Sequence, residues 1–247
     1  MPKNFNKWLT TYLVIIHTLL GIVVVKSNIF PLIKDKLGIF DTKKTFSPYY
    51  NTLFSFQQRA DKNLPKNTVV FIGNSHTQGL ATAAVSNHSV NFGIASDTTL
   101  GVINRIPLYT STKQAKAIVL EIGTNDLFKS SNEEIISNIE KILISQPEHI
   151  PVILNAIFPM DESRANQHGI NQRINTINNA ANKIASLHKN KFFLNFNSRL
   201  RDGTQQLSKK YHLGDGIHLN KKGYAIWIKA LRNQLNVIDN IQMTHAK

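Results

Sequence analysis

The chain has no cysteine. Disulfides, thiolate metal sites, a cysteine nucleophile and a lipidated cysteine anchor are thereby excluded. Acidic residues are scarce as well, 15 Asp and Glu against 29 Lys and Arg, for a formal net charge of +14. So basic a balance favours anionic surroundings: nucleic acid, an anionic membrane or a cell-envelope polymer. No helix-turn-helix, zinc-finger or RNA-binding signature occurs. The lysines are scattered in pairs such as Lys209-Lys210 and Lys221-Lys222 rather than gathered in one arm. The expectation is a solvated basic surface and no nucleic-acid partner. The histidines show no H-x-x-x-H or H-x-x-E-H spacing, so no metal is expected, and no cofactor. Internal repeats and low-complexity tracts are missing too. What is present is a chain of 247 residues, 42% hydrophobic and 18% charged, enough for one domain with a real core.

Only one hydrophobic run is long. It reads WLTTYLVIIHTLLGIVVV from Trp8 to Val25, with Lys3 and Lys7 before it and Lys26 after it. At roughly 18 residues it is near the lower limit for a helix that spans a bilayer. Thr10, Thr11 and Thr18 can return their hydroxyls to the helix backbone, while His17 must stay neutral or find a partner. Cleaved signal peptides have shorter apolar cores, and Val25-Lys26-Ser27 is a poor cleavage site. The expectation is a transmembrane signal anchor over residues 1–27; secretion after cleavage and a buried core helix are the alternatives. Lys3 and Lys7 favour a cytoplasmic N-terminus, which leaves the rest of the chain outside the cytoplasm, in a periplasm or on a cell surface. Residues 28–66 read as a membrane-proximal connector with a short helix near Tyr49 to Arg59, and residues 67–247 as the main domain.

That domain alternates strands and helices. The runs Thr68 to Ile72, Ser89 to Phe92, Ala117 to Ile122, Val152 to Ile157 and Lys191 to Phe196 read as strands. Between and after them, helices are predicted over Thr77 to Val85, Thr98 to Ile106 with Asp97 as its cap, Asn132 to Ser145, Asn171 to Leu187, and Asn220 to Leu235. In the last helix Tyr224, Ile226, Trp227 and Leu231 should face inward. This order predicts a parallel five-stranded sheet covered by helices on both faces, with ligands at the carboxyl ends of the strands. Three strands end in glycine turns there: Gly73-Asn74-Ser75, Gly93, and Gly123-Thr124-Asn125-Asp126.

Acyl transfer by serine needs a hydroxyl, a base, a group that orients the base, and donors for the oxyanion. Ser75 follows the first strand and opens a helix, whose N-terminus would favour developing negative charge. A helix cap explains it equally well. Its surroundings, Gly73-Asn74-Ser75-His76-Thr77-Gln78-Gly79, are not the G-x-S-x-G elbow. Asp215 and His218 stand three residues apart just before the last helix, so one loop could hold both orienter and base. Gly93 could offer a backbone N–H and Asn125 an amide. Taken singly, these are turn or surface residues.

Taken together and in order, the segments VVFIGNSHTQG, VNFGIASDTT, IVLEIGTNDL and LGDGIHLNKKGY resemble the SGNH (GDSL-like) hydrolases. The second segment, Asn220 and Gly223-Tyr224 are most similar to the branch of platelet-activating-factor acetylhydrolase subunits. The resemblance covers about residues 67 to 235. It implies a flavodoxin-like three-layer α/β sandwich. It also implies Ser75 as nucleophile, His218 as base and Asp215 as its orienter, with the Ser75 N–H, the Gly93 N–H and the Asn125 amide as the oxyanion hole. One residue departs from the pattern: Asn74 stands where the family usually has Asp. His76 should point away from Ser75. The expected activity is hydrolysis of a short acyl ester, acetyl above all, on an envelope carbohydrate or similar substrate. An acyltransferase with the same triad and a non-catalytic glycan-binding module remain the alternatives.

Overall fold

A computed structural model describes residues 3–26 and 46–245. The chain divides into two compact units, Met1–Phe46 and Ser47–Lys247.

The first unit holds helix α1, Lys3–Lys26. From residue 7 to residue 23 every side chain is exposed, Trp8, Tyr12, Leu13, Ile15, Leu19 and Val23 among them. Three of its polar side chains bond inside the helix. Thr11 and Thr18 donate to Lys7 O and Val14 O, and His17 Nδ1 lies 2.7 Å from Leu13 O. Among the described residues no helix is long and apolar enough to cross a membrane. The helix expected over residues 1–27 is therefore present, without the full span.

The second unit begins with α2, Pro48–Asp61, capped by Ser47 and started by a proline that has no N–H to lose there. Helix α2, expected within the connector, clusters with the larger unit, and residues 28–45 of that connector lie outside the described residues. Asp61 accepts hydrogen bonds from the N–H and hydroxyl groups of both Thr110 and Ser111. Five strands follow: β1 Val69–Gly73, β2 Ser89–Gly93, β3 Ala117–Glu121, β4 Val152–Asn155 and β5 Lys191–Leu194. All pair in parallel in the order β2-β1-β3-β4-β5. The chain winds outward from β1 to β2, then returns past β1 to β3. The switch point of the sheet thus lies between β1 and β3, where such sheets open a crevice for ligands.

Strand periodicity sends alternate side chains to opposite faces. Val70, Ile72, Ile118, Leu120, Val152 and Leu154 pack under one helical layer. That layer consists of α4 (Thr99–Arg105), α5 (Asn132–Ile144) and α7 (Ile170–Leu187), the short α3 (Ser75–Gln78) and α6 (Glu162–Ala165) lying in the loops above. Val69, Phe71, Ala117, Val119 and Ile153 pack on α8, Lys221–His245, through Trp227, Leu231, Leu235 and Ile238. The expected α/β three-layer sandwich is the observed fold. In α8, Trp227 and Leu231 are fully buried, and Tyr224 and Ile226 partly so.

Two expectations fail locally. The Ala-rich stretch from Thr77 to Val85 is not one helix. It breaks into α3 and a single 3-10 turn, Thr82–Ala84. Asn91 Nδ2 on neighbouring β2 takes the carbonyls of Thr77, Gln78 and Leu80, which a continuing helix would need for itself. Asp97 is not the cap of α4 either. Thr98 caps it through Gly101 N–H, while Asp97 Oδ2 accepts from Arg105 Nε at 2.8 Å inside the protein.

Candidate active site

β1 ends at Gly73 because nothing larger fits: a Cβ there would lie 2.1 Å from Glu121 O and 2.2 Å from Thr77 Oγ1. The chain turns at buried Asn74, whose Oδ1 accepts from His76 N–H, and presents Ser75 at the strand edge. Helix α3 that follows has four residues. It is one turn, so the macrodipole expected to help Ser75 is not there.

On the far side of the chain, residues 211–220 form a loop folded around His212. His212 Nδ1 accepts from Gly214 N–H and Gly216 N–H, and its Nε2 lies 3.4 Å from Asp161 Oδ2. Gly214 and Gly216 hold φ of 109° and 78°, values that strain any residue with a Cβ. Asn220 ties the loop off at α8, donating to Lys210 O and His212 O and accepting from Lys222 and Gly223 N–H. Nothing in the spacing of His212 announced this role.

The loop brings His218 to Ser75 across 143 residues of sequence, with Nε2 at 3.0 Å from Oγ. His218 Nδ1 lies 2.6 Å from Asp215 Oδ2, and Asp215 Oδ1 accepts from the backbone N–H of Ile217 and His218. Partial burial works to raise the Asp215 carboxyl, but the bonds from Ile217 and His218 outweigh it and hold it below the usual carboxylate range. An ionised Asp215 fixes the proton on Nδ1 and leaves Nε2 to accept from Ser75. The His218 and Asp215 side chains are 40% and 44% exposed, so the site opens to solvent.

Asn125 follows β3 and donates through Nδ2 to Asp97 O at 2.8 Å. That bond aims the amide and leaves its second hydrogen free. Gly93 does not play the part the resemblance implies. Its N–H donates to Asn91 Oδ1 at 2.9 Å, and a Cβ on it would lie 2.2 Å from Gln78 N. Gly93 is a packing glycine. The next two N–H groups are also taken, Ile94 by Gly73 O and Ala95 by Gln78 Oε1. Ser96, at φ 63°, has an N–H with no partner among the described residues, as does Ser75. A positive φ on a serine was the feature that spacing could not reveal.

Beneath this turn lies a buried network. Arg105 donates to Asp97, to Tyr109 Oη and to Gly73 O; Tyr109 donates to Gln57 Oε1, and Gln57 Nε2 donates to Gly93 O. Burial pushes the Asp97 carboxyl up to about 6 against the pull of Arg105. Burial also works against the Arg105 charge, and Asp97 outweighs it, so the pair stays ionised at neutral pH. His76 is buried, with its ring 5.1 Å from Phe158 and 5.4 Å from His218. Among the described residues no three His, Asp or Glu side chains gather as metal ligands would.

The sequence profile of the GDSL-like lipase/acylhydrolase family matches residues 71–226. The chain belongs to that family. It is an acylhydrolase of the SGNH type, a hydrolase of carboxylic esters. Solved structures agree in fold. One described as a putative platelet activating factor from Streptococcus pneumonia is 25% identical, with a TM-score of 0.69 over 76% of this chain and 92% of that one. A putative acylhydrolase from Bacteroides fragilis is 22% identical, with a TM-score of 0.65 over 77% and 98%. An acetylxylan esterase from Geobacillus stearothermophilus is 17% identical, with a TM-score of 0.56 over 68% and 94%. No protein of curated function matches the acylhydrolase in sequence.

Proposed function

We propose that the protein removes short acyl groups, acetyl above all, from a carbohydrate of the cell envelope, with Ser75 as nucleophile. The observation that carries this reading is the line Ser75 Oγ, His218, Asp215 at 3.0 Å and 2.6 Å. Ser75 Oγ attacks the ester carbonyl as His218 Nε2 takes its proton. The oxyanion is held by the N–H of Ser75, the free amide hydrogen of Asn125 and the N–H of Ser96, which replaces Gly93 in the expected trio. His218 returns the proton to the departing sugar oxygen. Water, deprotonated by His218, then releases the acid from Ser75. The exposure of His218 and Asp215 supports a large alcohol portion, since a polymer can lie across an open site. Transfer of the same acyl group to a second alcohol would use the same intermediate.

Helix α1 supports a membrane location. Its apolar residues are exposed and the hydroxyls of Thr11 and Thr18 are satisfied within the helix, as lipid requires. In this reading α1 holds the protein at the membrane, and the hydrolase lies outside the cytoplasm.

Hydrolysis of p-nitrophenyl acetate and octanoate by the protein and by Ser75→Ala tests the chemistry. Acetate cleavage that disappears in the variant is expected, with octanoate the poorer substrate. Equal rates in both proteins would sink the assignment of Ser75. With an acetylated polysaccharide and a second glycan present, free acetate as the sole product argues for hydrolysis and an acylated acceptor for transfer.

A further inference from the structure

Directly behind Ser75 lies a group of buried side chains that the reaction does not consume. Glu121, the last residue of β3, is 0% exposed, and His76 is 1% exposed. Glu121 Oε1 accepts from Asn74 Nδ2 and Thr124 Oγ1, each at 3.5 Å. Its other oxygen, Oε2, has no hydrogen-bond partner, and neither has His76 Nδ1. These two atoms face each other at 4.0 Å. His76 Nε2 lies 3.0 Å from Ile217 O, to which it must donate, because a carbonyl has no hydrogen to give. That leaves Nδ1 as an acceptor in a neutral ring. The atom it lacks is a proton donor, and a protonated Glu121 supplies one after a small side-chain rotation.

We infer that Glu121 and His76 form a buried acid–imidazole pair that positions the catalytic histidine, holding Ile217 and with it His218 against Ser75. Both are positioning residues, and the inference rests on the acylhydrolase reading for its effect on rate. Burial agrees with the neutral states. It pushes Glu121 up to about 8, against hydrogen bonds from Asn74 and Thr124. It also pushes His76 down to about 4. The groups facing Glu121 are Asn74, Thr124, His76 and, at longer range, Tyr224; those facing His76 are Glu121, His218 and Asp215.

The pair explains the departure at position 74. A carboxylate there would compete with His76 for the one acid proton of Glu121, and two adjacent buried carboxyls resist joint ionisation. The amide of Asn74 donates to Glu121 instead and leaves that proton to His76. The acid usual beside the nucleophile is, in this chain, on the neighbouring strand.

The test uses the full chain and five proteins: wild type, Glu121→Gln, Glu121→Ala, Asn74→Asp and the double variant Asn74→Asp/Glu121→Gln. The readouts are kcat and KM on p-nitrophenyl acetate across the neutral and alkaline range, with melting temperatures. A glutamine amide keeps an oxygen that accepts from Asn74 and Thr124 and brings N–H groups that can donate to His76 and, in the double variant, to the aspartate at position 74. Glu121→Gln should therefore keep kcat near neutrality and lose the alkaline decline that wild type shows as Glu121 ionises. Glu121→Ala should lose about 10–10²-fold in kcat at unchanged KM, the scale of a small misplacement of a catalytic group. Asn74→Asp should lower both kcat and melting temperature, and Glu121→Gln should restore them in the double variant. The inference is overturned if Glu121→Ala matches wild type at every pH, or if Asn74→Asp does the same harm with and without Glu121→Gln. If wild type cleaves no ester, the acylhydrolase reading fails, and the melting temperatures of the four-way cycle still decide whether positions 74 and 121 are coupled.

Discussion

At the scale of single residues, Asn125 has one amide hydrogen committed to Asp97 O and one to spare. The first orients the second, so the donor needs no reorganisation as the oxyanion forms. Asn125→Ala should therefore lower kcat by ~10²–10³ with a smaller change in KM, as removal of one such donor typically does. Steady-state kinetics on p-nitrophenyl acetate reads this directly, and unchanged turnover would remove Asn125 from the site. Gly93 makes the opposite case. A Cβ at 2.2 Å from Gln78 N must push backbone against backbone. Gly93→Ala should therefore show first as a loss of stability, about 1–3 kcal/mol or more by the usual cost of overpacking. Thermal melting separates that outcome from a purely kinetic defect. Ser75, Asn125, Asp215 and His218 were legible because order and spacing along the chain select them. The occupation of the Gly93 N–H was not, since the group that takes it is a side chain, Asn91, whose direction no spacing encodes.

At the scale of elements, short apolar runs located all five strands, three of them closed by glycine turns, because burial on both faces demands continuous apolar residues. Propensity failed where a neighbouring strand intervened. Alanines favour a helix after Ser75, yet Asn91 on β2 takes the carbonyls that would continue it. Asp97 reads as a cap and serves instead as the partner of Arg105, which also bonds Gly73 O and Tyr109. Helix α4 is thereby fastened to the end of β1 and to the turn that carries Ser96. Arg105→Met should destabilise the protein by about 3–5 kcal/mol, because it leaves Asp97 charged and buried without its partner. A denaturant titration measures this. A loss under 1 kcal/mol would mean that Asp97 simply takes up a proton.

For the molecule as a whole, three buried groups shape the dependence of stability on pH. Glu121 is raised from 4.5 to about 8. Its contribution is complete below its unfolded pKa and is lost as pH rises through the folded value. His76 is lowered from 6.5 to about 4. Its contribution is present above the unfolded pKa and is lost as pH falls through the folded one. Between about 4.5 and 6.5 the two slopes oppose each other, and Asp97, raised to about 6, adds a further loss as pH climbs to that value. Above about 6.5 Glu121 is the one of the three still between its unfolded and folded values, so the melting temperature should fall between about 6.5 and 8. Differential scanning calorimetry across this range checks it, and in Glu121→Gln the decline above neutrality should flatten.

The sequence by itself determined the layered α/β architecture, the active edge of the sheet, the apolar character of α1 and the residue types of the site. These follow from periodicity, apolar run length and motif order, which are properties of a line of residues. Tertiary structure alone decided which backbone N–H groups remain free, that His212 shapes the loop carrying His218, and that Glu121 meets Asn74 and His76 inside the protein. Those outcomes depend on side chains of different strands and loops competing for the same donors and acceptors, a competition that exists only once the chain has folded.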